Sequence, residues 1–136
     1  MNQLKSGIIA TLIVILYSVI CFTCLPAEVK EVKTGIASWY SEKSCKREGT
    51  SGVWTASGER FNEMDMTCAM RTRKWNQKWK VCNTANGKCV IVRNNDFGPN
   101  KTLSDQGRII DLSKGAFKAI TPLLSRGLIN VTVEKL

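Results

Sequence analysis

The chain contains no histidine. That absence removes the usual proton relay of neutral pH and weakens any case for a zinc centre. Acidic side chains are also scarce, 11 against 20 basic ones, for a net charge of +9. Such a balance favours encounters with anionic partners without naming one, because cell-wall glycans, acidic lipids and nucleic acid all qualify. Nucleic acid is set aside, since the N-terminal segment directs the chain out of the cytosol and no nucleic-acid module accompanies the Lys and Arg residues. No internal repeat and no low-complexity stretch occurs, and 136 residues less a leader leave no room for a second core. One compact, monomeric domain is expected, with no cofactor and no metal.

Lys5, the uncharged and mostly apolar run from Gly7 to Leu25, and then Pro26 and Ala27 read as a signal peptide over residues 1–27. Residues 28–33 then form a linker and 34–136 the folded domain. The run approaches the roughly 20 residues that span a bilayer, so an uncleaved anchor is the alternative, and no other membrane contact is expected. Ile20 and Thr23, which precede Cys21 and Cys24, fit poorly with a lipid-modified cysteine. Cleavage removes one positive charge, Lys5, and leaves a secreted or cell-envelope protein of net charge +8.

Four cysteines remain: Cys45, Cys68, Cys82 and Cys89. An even count in an exported protein favours two disulfides over a metal site. Of three possible pairings, Cys82–Cys89 with Cys45–Cys68 is expected, because the first pair flanks a single turn. A two-residue turn at Asn86-Gly87 would place Cys82 opposite Ile91 and diagonal to Cys89, at about 7–8 Å, which is long for a bridge. A wider loop would bring the pair together.

Short β-rich runs dominate the rest. Thr34–Tyr40, Met66–Arg71, Trp79–Asn83, Lys88–Asn94 with its apolar centre Val90-Ile91-Val92, Arg108–Ile110 and the alternating Leu128–Lys135 all read as strands. Ser41–Ser51 and Asn100–Gln106 read as loops, and the small residues and glycine of Val53–Asn62 as a tight turn. A helix over Lys114–Ile120, capped by Ser113 or Asp111, ends at Thr121-Pro122; Gly115 and Phe117 within it imply that tertiary contacts hold it. Many short strands with one short helix point to a mainly β barrel.

Four blocks occur in order: Ala37-Ser38-Trp39-Tyr40, then Thr55-Ala56-Ser57-Gly58-Glu59-Arg60-Phe61-Asn62, then Asn95-Asp96-Phe97-Gly98-Pro99, then Gly107-Arg108-Ile109-Ile110-Asp111-Leu112-Ser113. Together they resemble the rare lipoprotein A family over about Thr34–Leu136. The resemblance implies a six-stranded double-psi β-barrel related to expansins and barwins, with a groove that binds a polysaccharide. It also implies lytic transglycosylation of peptidoglycan strands that have lost their peptides.

That reaction requires one acid to protonate the leaving glycosidic oxygen and then act as base while the sugar's own 6-hydroxyl closes an anhydro ring. A single carboxyl can suffice if burial or a neighbouring carboxylate keeps it protonated often enough. Asp96 matches the family's catalytic aspartate and Glu59 a glutamate of the same groove; Asp111 is a third candidate, with helix capping as its alternative role. Glu59 could instead pair with Arg60 or Arg71, and Asp96 could bond its own turn. The family's histidine position is Met70, which cannot titrate, so a non-catalytic, expansin-like wall binder stands as the alternative function. Further departures are Ser41, where the family commonly has Gly, and Arg73-Lys74-Trp75-Asn76, where it commonly has Leu-Pro-Phe-Gly. Substrate contacts are expected from Met70, Trp75, Trp79, Tyr40, Arg71 and Asn95, with Trp54 also available to a sugar face and Trp39 assigned to the core.

Overall fold

The computed structural model describes residues 30–47 and 54–136. The expected signal peptide, residues 1–27, lies outside them. Six strands form the architecture: β1 Val32–Tyr40, β2 Thr67–Met70, β3 Lys78–Asn83, β4 Cys89–Phe97, β5 Arg108–Ser113 and β6 Leu128–Lys135. They close into a barrel in the order β1-β5-β2-β4-β3-β6. β1–β5 and β2–β4 pair in parallel, and the other neighbours are antiparallel.

The period-two pattern decides which side of each strand faces inward. In β6, Ile129, Val131 and Val133 are buried while Leu128 and Asn130 are exposed; in β3, Val81 is buried between the exposed Lys80 and the half-buried Cys82. Ile110 and Leu112 of β5 and Val92 of β4 complete the inner wall. Each such side chain, once sealed from water, contributes about 1.5–3 kcal/mol.

Among the described residues three short α-helices decorate the barrel: α1 Glu42–Arg47, α2 Lys101–Asp105 and α3 Lys114–Ile120. α3 is the expected one. It drives Phe117 and Ile120, both fully buried, into the core. Its cap is Ser113, whose Oγ accepts the Ala116 N–H at 3.2 Å. Asp111 is not the cap, because its Oδ1 accepts Ser38 Oγ and Arg108 Nε instead of a helix N–H. Gly115 is required by close approach: a Cβ there would collide with the Met64 carbonyl, while its N–H donates to the Glu63 carbonyl at 2.8 Å. α1 and α2 occupy stretches that read as loops. Asn100 caps α2 through the Leu103 N–H. Ser41, the departure from glycine, caps α1: its Oγ accepts the Ser44 N–H at 3.2 Å, and its own N–H donates to Ser44 Oγ at 2.8 Å.

Cys82 and Cys89 form a disulfide with Cα atoms 4.0 Å apart. They face each other directly in the β3–β4 register, so the loop between the strands is wider than two residues. Asn83 N–H closes it onto the Lys88 carbonyl at 2.9 Å, and Gly87 takes φ +71°. The expected Cys45–Cys68 bridge is not formed. Cys68 points into the sealed core from β2, whereas Cys45 stands on α1 beside an open cavity.

Candidate active site

A trough of about 870 Å³ runs along one side of the barrel. All four sequence blocks reach it. β1 supplies Ser38, Trp39 and Tyr40; the turn supplies Trp54, Thr55 and Ala56; β4 supplies Asp96 and Phe97; β5 supplies Arg108 and Asp111. A smaller cavity of about 200 Å³, lined by residues such as Asn83, Arg126 and Asn130, holds none of the candidate acids.

Two bulges bring the charged groups to the trough. In β4, Cys68 pairs with Asn94 but Ala69 pairs with Asp96, so Asn95 is the extra residue. Val92 and Asn94 face inward, and unbroken alternation would have turned Asp96 the same way. The bulge turns it outward instead. In β5, Ile36 pairs with Arg108 but Ala37 with Ile110, so Ile109 is extra and Arg108 joins Asp111 on the outer face. The result is one row across four strands, Ser38–Asp111–Ala69–Asp96. With strands about 4.8 Å apart, the Cα atoms of the two aspartates lie about 10 Å from each other.

Asp96 Oδ1 accepts two backbone N–H groups, from Ala56 at 2.9 Å and Phe97 at 2.8 Å. The first comes from the turn over the trough, which is tight as expected: Thr55 N–H donates to the Glu59 carbonyl at 2.8 Å, and Gly58 takes φ +88°. Asp111 Oδ1 accepts Ser38 Oγ and Arg108 Nε, each at 2.6 Å, so this carboxylate is paired within the trough wall. Tyr40 stacks on Phe61 at 4.8 Å between centroids. Its hydroxyl is sealed and has no hydrogen-bond partner among the described residues, and burial followed by the charge of Asp96 pushes the phenol well above its ordinary range.

Glu59 does not pair with Arg60 or Arg71. It holds Arg93 instead, Oε1 to Nη1 at 2.6 Å and Oε2 to Nη2 at 2.8 Å, and it accepts Asn95 Nδ2 at 3.2 Å. Those bonds, that to Arg93 foremost, hold its carboxyl below the usual range. Glu59 therefore stands behind the trough, tying the turn to the bulge residue. Arg71 donates to the Pro99 carbonyl at 2.9 Å and lies over the Phe97 ring. Met70 is 8% exposed and belongs to the core. Trp75 and Trp79 do not line the trough, and Trp79 packs against the core. The exposed tryptophan that lines the trough is Trp54, 60% exposed, and the exposed Leu128 lines it too. Trp39 packs against Phe117, as its place in an alternating strand implied, although one edge reaches the trough. Among the described residues no group of three or more His, Cys, Asp or Glu side chains gathers as metal ligands would.

A family model described as lytic transglycolase matches residues 32–133. The chain belongs to that family. It is 44% identical over 108 residues to the probable endolytic peptidoglycan transglycosylase RlpA of Synechocystis sp., covering 79% of this chain and 30% of that protein. It is 42% identical over 105 residues to the endolytic peptidoglycan transglycosylase RlpA of Haemophilus influenzae, covering 77% and 33%. The corresponding protein of Rickettsia felis is 39% identical over 104 residues, covering 76% and 42%. The chain thus spans about a third of the length of these curated relatives. Among solved structures it is similar to the Streptomyces papain inhibitor, with a TM-score of 0.58 and 21% identity over 82% of this chain and 98% of that one. It is also similar to the apo expansin of Clavibacter michiganensis, with a TM-score of 0.55 and 17% identity over 78% and 50%. Those likenesses establish the fold of the family member described here as the expected double-psi barrel.

Proposed function

We propose that this chain is an endolytic lytic transglycosylase of the cell envelope that cleaves peptide-free peptidoglycan strands, with Asp96 as its acid and base. The observation that carries the reading is the position of the Asp96 carboxyl, aimed into an 870 Å³ trough by a one-residue bulge. The relatives' names, which describe endolytic peptidoglycan transglycosylases, support the same substrate class.

Both N–H donors to Asp96 land on Oδ1, which leaves Oδ2 as the oxygen that carries the proton in the acid step. Oδ2 gives that proton to the glycosidic oxygen as the bond from C1 breaks. The 6-hydroxyl of the same sugar then attacks C1 and returns its proton to the carboxylate. One glycosidic bond becomes one anhydro end and one free hydroxyl, and no water is consumed. Asp111, ion-paired with Arg108, stabilises the positive charge that develops at C1. Trp54 and Leu128 offer an apolar face to the sugar rings. Glu59 positions the turn that holds Asp96.

One observation favours a second reading, a non-catalytic wall binder. Met70 supplies no titratable group and lies in the core beside Asp96's neighbour Phe97. The discriminating experiment incubates the protein with peptide-free glycan strands and measures anhydro-sugar ends by mass spectrometry. Wild type is expected to form them, and Asp96→Asn to form at least about 100-fold fewer. Equal absence of product, with binding retained by both, leaves the binder.

A further inference from the structure

Phe97 lines the trough next to Asp96 and is 39% exposed. Two guanidinium groups lie against its ring, Arg71 with Cζ 5.4 Å and Arg73 with Cζ 4.9 Å from the centroid. Neither arginine lines the trough itself, but both lie over a ring that does, and two like charges at one ring concentrate positive potential beside the trough. A guanidinium held over a ring keeps N–H donors for a ligand, apart from the Nη1 donor that Arg71 gives to the Pro99 carbonyl. Arg71 is steadied by its bond to the Pro99 carbonyl. Among the described residues neither arginine forms an ion pair with a carboxylate, whereas Arg93 and Arg108 both do. Lys74 adds a further exposed cation next in the chain.

We infer that Arg71 and Arg73, seated on Phe97, form a subsite for a carboxylate carried by the glycan itself. The inference rests on the glycan reading above. In a peptide-free strand the lactyl group of each muramic residue ends in a free carboxylate, while a peptide-bearing strand has that group tied up as a neutral amide. A planar donor fork recognises the former in two-point fashion and gains little from the latter. Substrate preference then follows from charge beside the trough, independently of the proton chemistry at Asp96.

The test compares equilibrium binding of two ligands: peptide-free strands with intact lactyl carboxylates, and the same strands with those groups reduced to alcohols. Wild type is expected to prefer the acidic strands about tenfold. Arg73→Leu, which installs the residue common at this position in the family, is expected to cut the preference to about threefold or less. Lys118→Gln removes the same charge from an exposed position outside the trough and is expected to leave the preference unchanged. Equal binding of both strands by wild type, or an equal loss in the two variants, overturns the subsite while leaving glycan binding intact. Failure to bind either strand overturns the subsite and the glycan reading together.

Discussion

The Glu59 carboxylate and the Arg93 guanidinium meet at both of their ends, across 34 residues of sequence, and so clamp the turn over the trough to strand β4. The side chains remain 40% and 33% exposed, which limits the pair's contribution to about 1 kcal/mol. Its larger effect is geometric, because the same turn presents the Ala56 N–H to Asp96. Glu59→Gln should therefore lower kcat more than it raises KM in the strand-cleavage assay. The pH dependence has a definite sign. The folded-state pKa of Glu59 is depressed, so its stabilisation is fully present above the ordinary glutamate value of about 4.3 and is lost as pH falls through the lower, folded value. Thermal melts of wild type and Glu59→Gln should differ by a constant amount from pH 7 to about pH 5 and converge below it. A gap that widens in acid would contradict the clamp.

Asp111 presents the opposite case, a carboxylate whose bonds are nearly withdrawn from water. Its side chain is 15% exposed and that of Arg108 is 24% exposed. Asp111→Asn keeps the shape but leaves the Arg108 cation without its partner, at a cost of about 1–3 kcal/mol. Urea denaturation should show that loss as a lower midpoint at unchanged slope. Ser38→Ala, which removes only the neutral donor to the same oxygen, should cost about 1 kcal/mol. Equal losses in the two variants would mean that the ion pair contributes nothing beyond one hydrogen bond.

The two thiols at Cys45 and Cys68 differ in reach. Cys68 has no exposed surface, and burial pushes its thiol far above the ordinary cysteine range, so the reactive thiolate is suppressed in the fold. Cys45 is half-buried on α1 at the trough. Brief alkylation of the native protein followed by peptide mapping should label Cys45 and spare Cys68, and labelling of Cys68 should appear only in denaturant. Rapid native labelling of Cys68 would show that β2 opens readily.

Local signals were enough for the strands, for α3, for the turn and for the ordered blocks that carry the family resemblance. The orientation of the site was not legible. Period-two alternation assigns Asp96 to the same side as Val92 and Asn94, and only the extra residue Asn95 reverses it. A bulge of this kind leaves no mark in hydrophobic patterning, because Asn95 is itself polar and 3% exposed. The partner of Glu59 was hidden for another reason: Arg60 and Arg71 are nearer along the chain, while the closed barrel brings Arg93 nearer in space. The aromatic assignment moved likewise. Trp75 and Trp79 sit among Lys and Asn residues, yet it is Trp54 that the turn suspends over the trough. Cysteine pairing failed at Cys45–Cys68 because parity of count carries no information about which side of a strand a thiol faces.

Met70 is where sequence departure and structure can be tested against each other most directly. It pairs in register with Phe97, one residue beyond the Ala69–Asp96 pair, and is 8% exposed at the edge of the core. An imidazole placed there would exchange an apolar contact for a polar group with little access to water, so Met70→His should lower stability by about 1–3 kcal/mol. The same substitution introduces a group that can titrate near neutral pH, at the position where the family resemblance implies a histidine. If proton transfer by Asp96 now limits the rate, anhydro-end formation should rise about tenfold or more despite the lost stability, with a pH profile that gains a limb near 6.5. A stability loss with no gain in product and no new limb would mean that Asp96 works without a relay in this barrel, or that the trough only binds. The Asp96→Asn comparison separates those two outcomes, since only a working Asp96 has activity to lose.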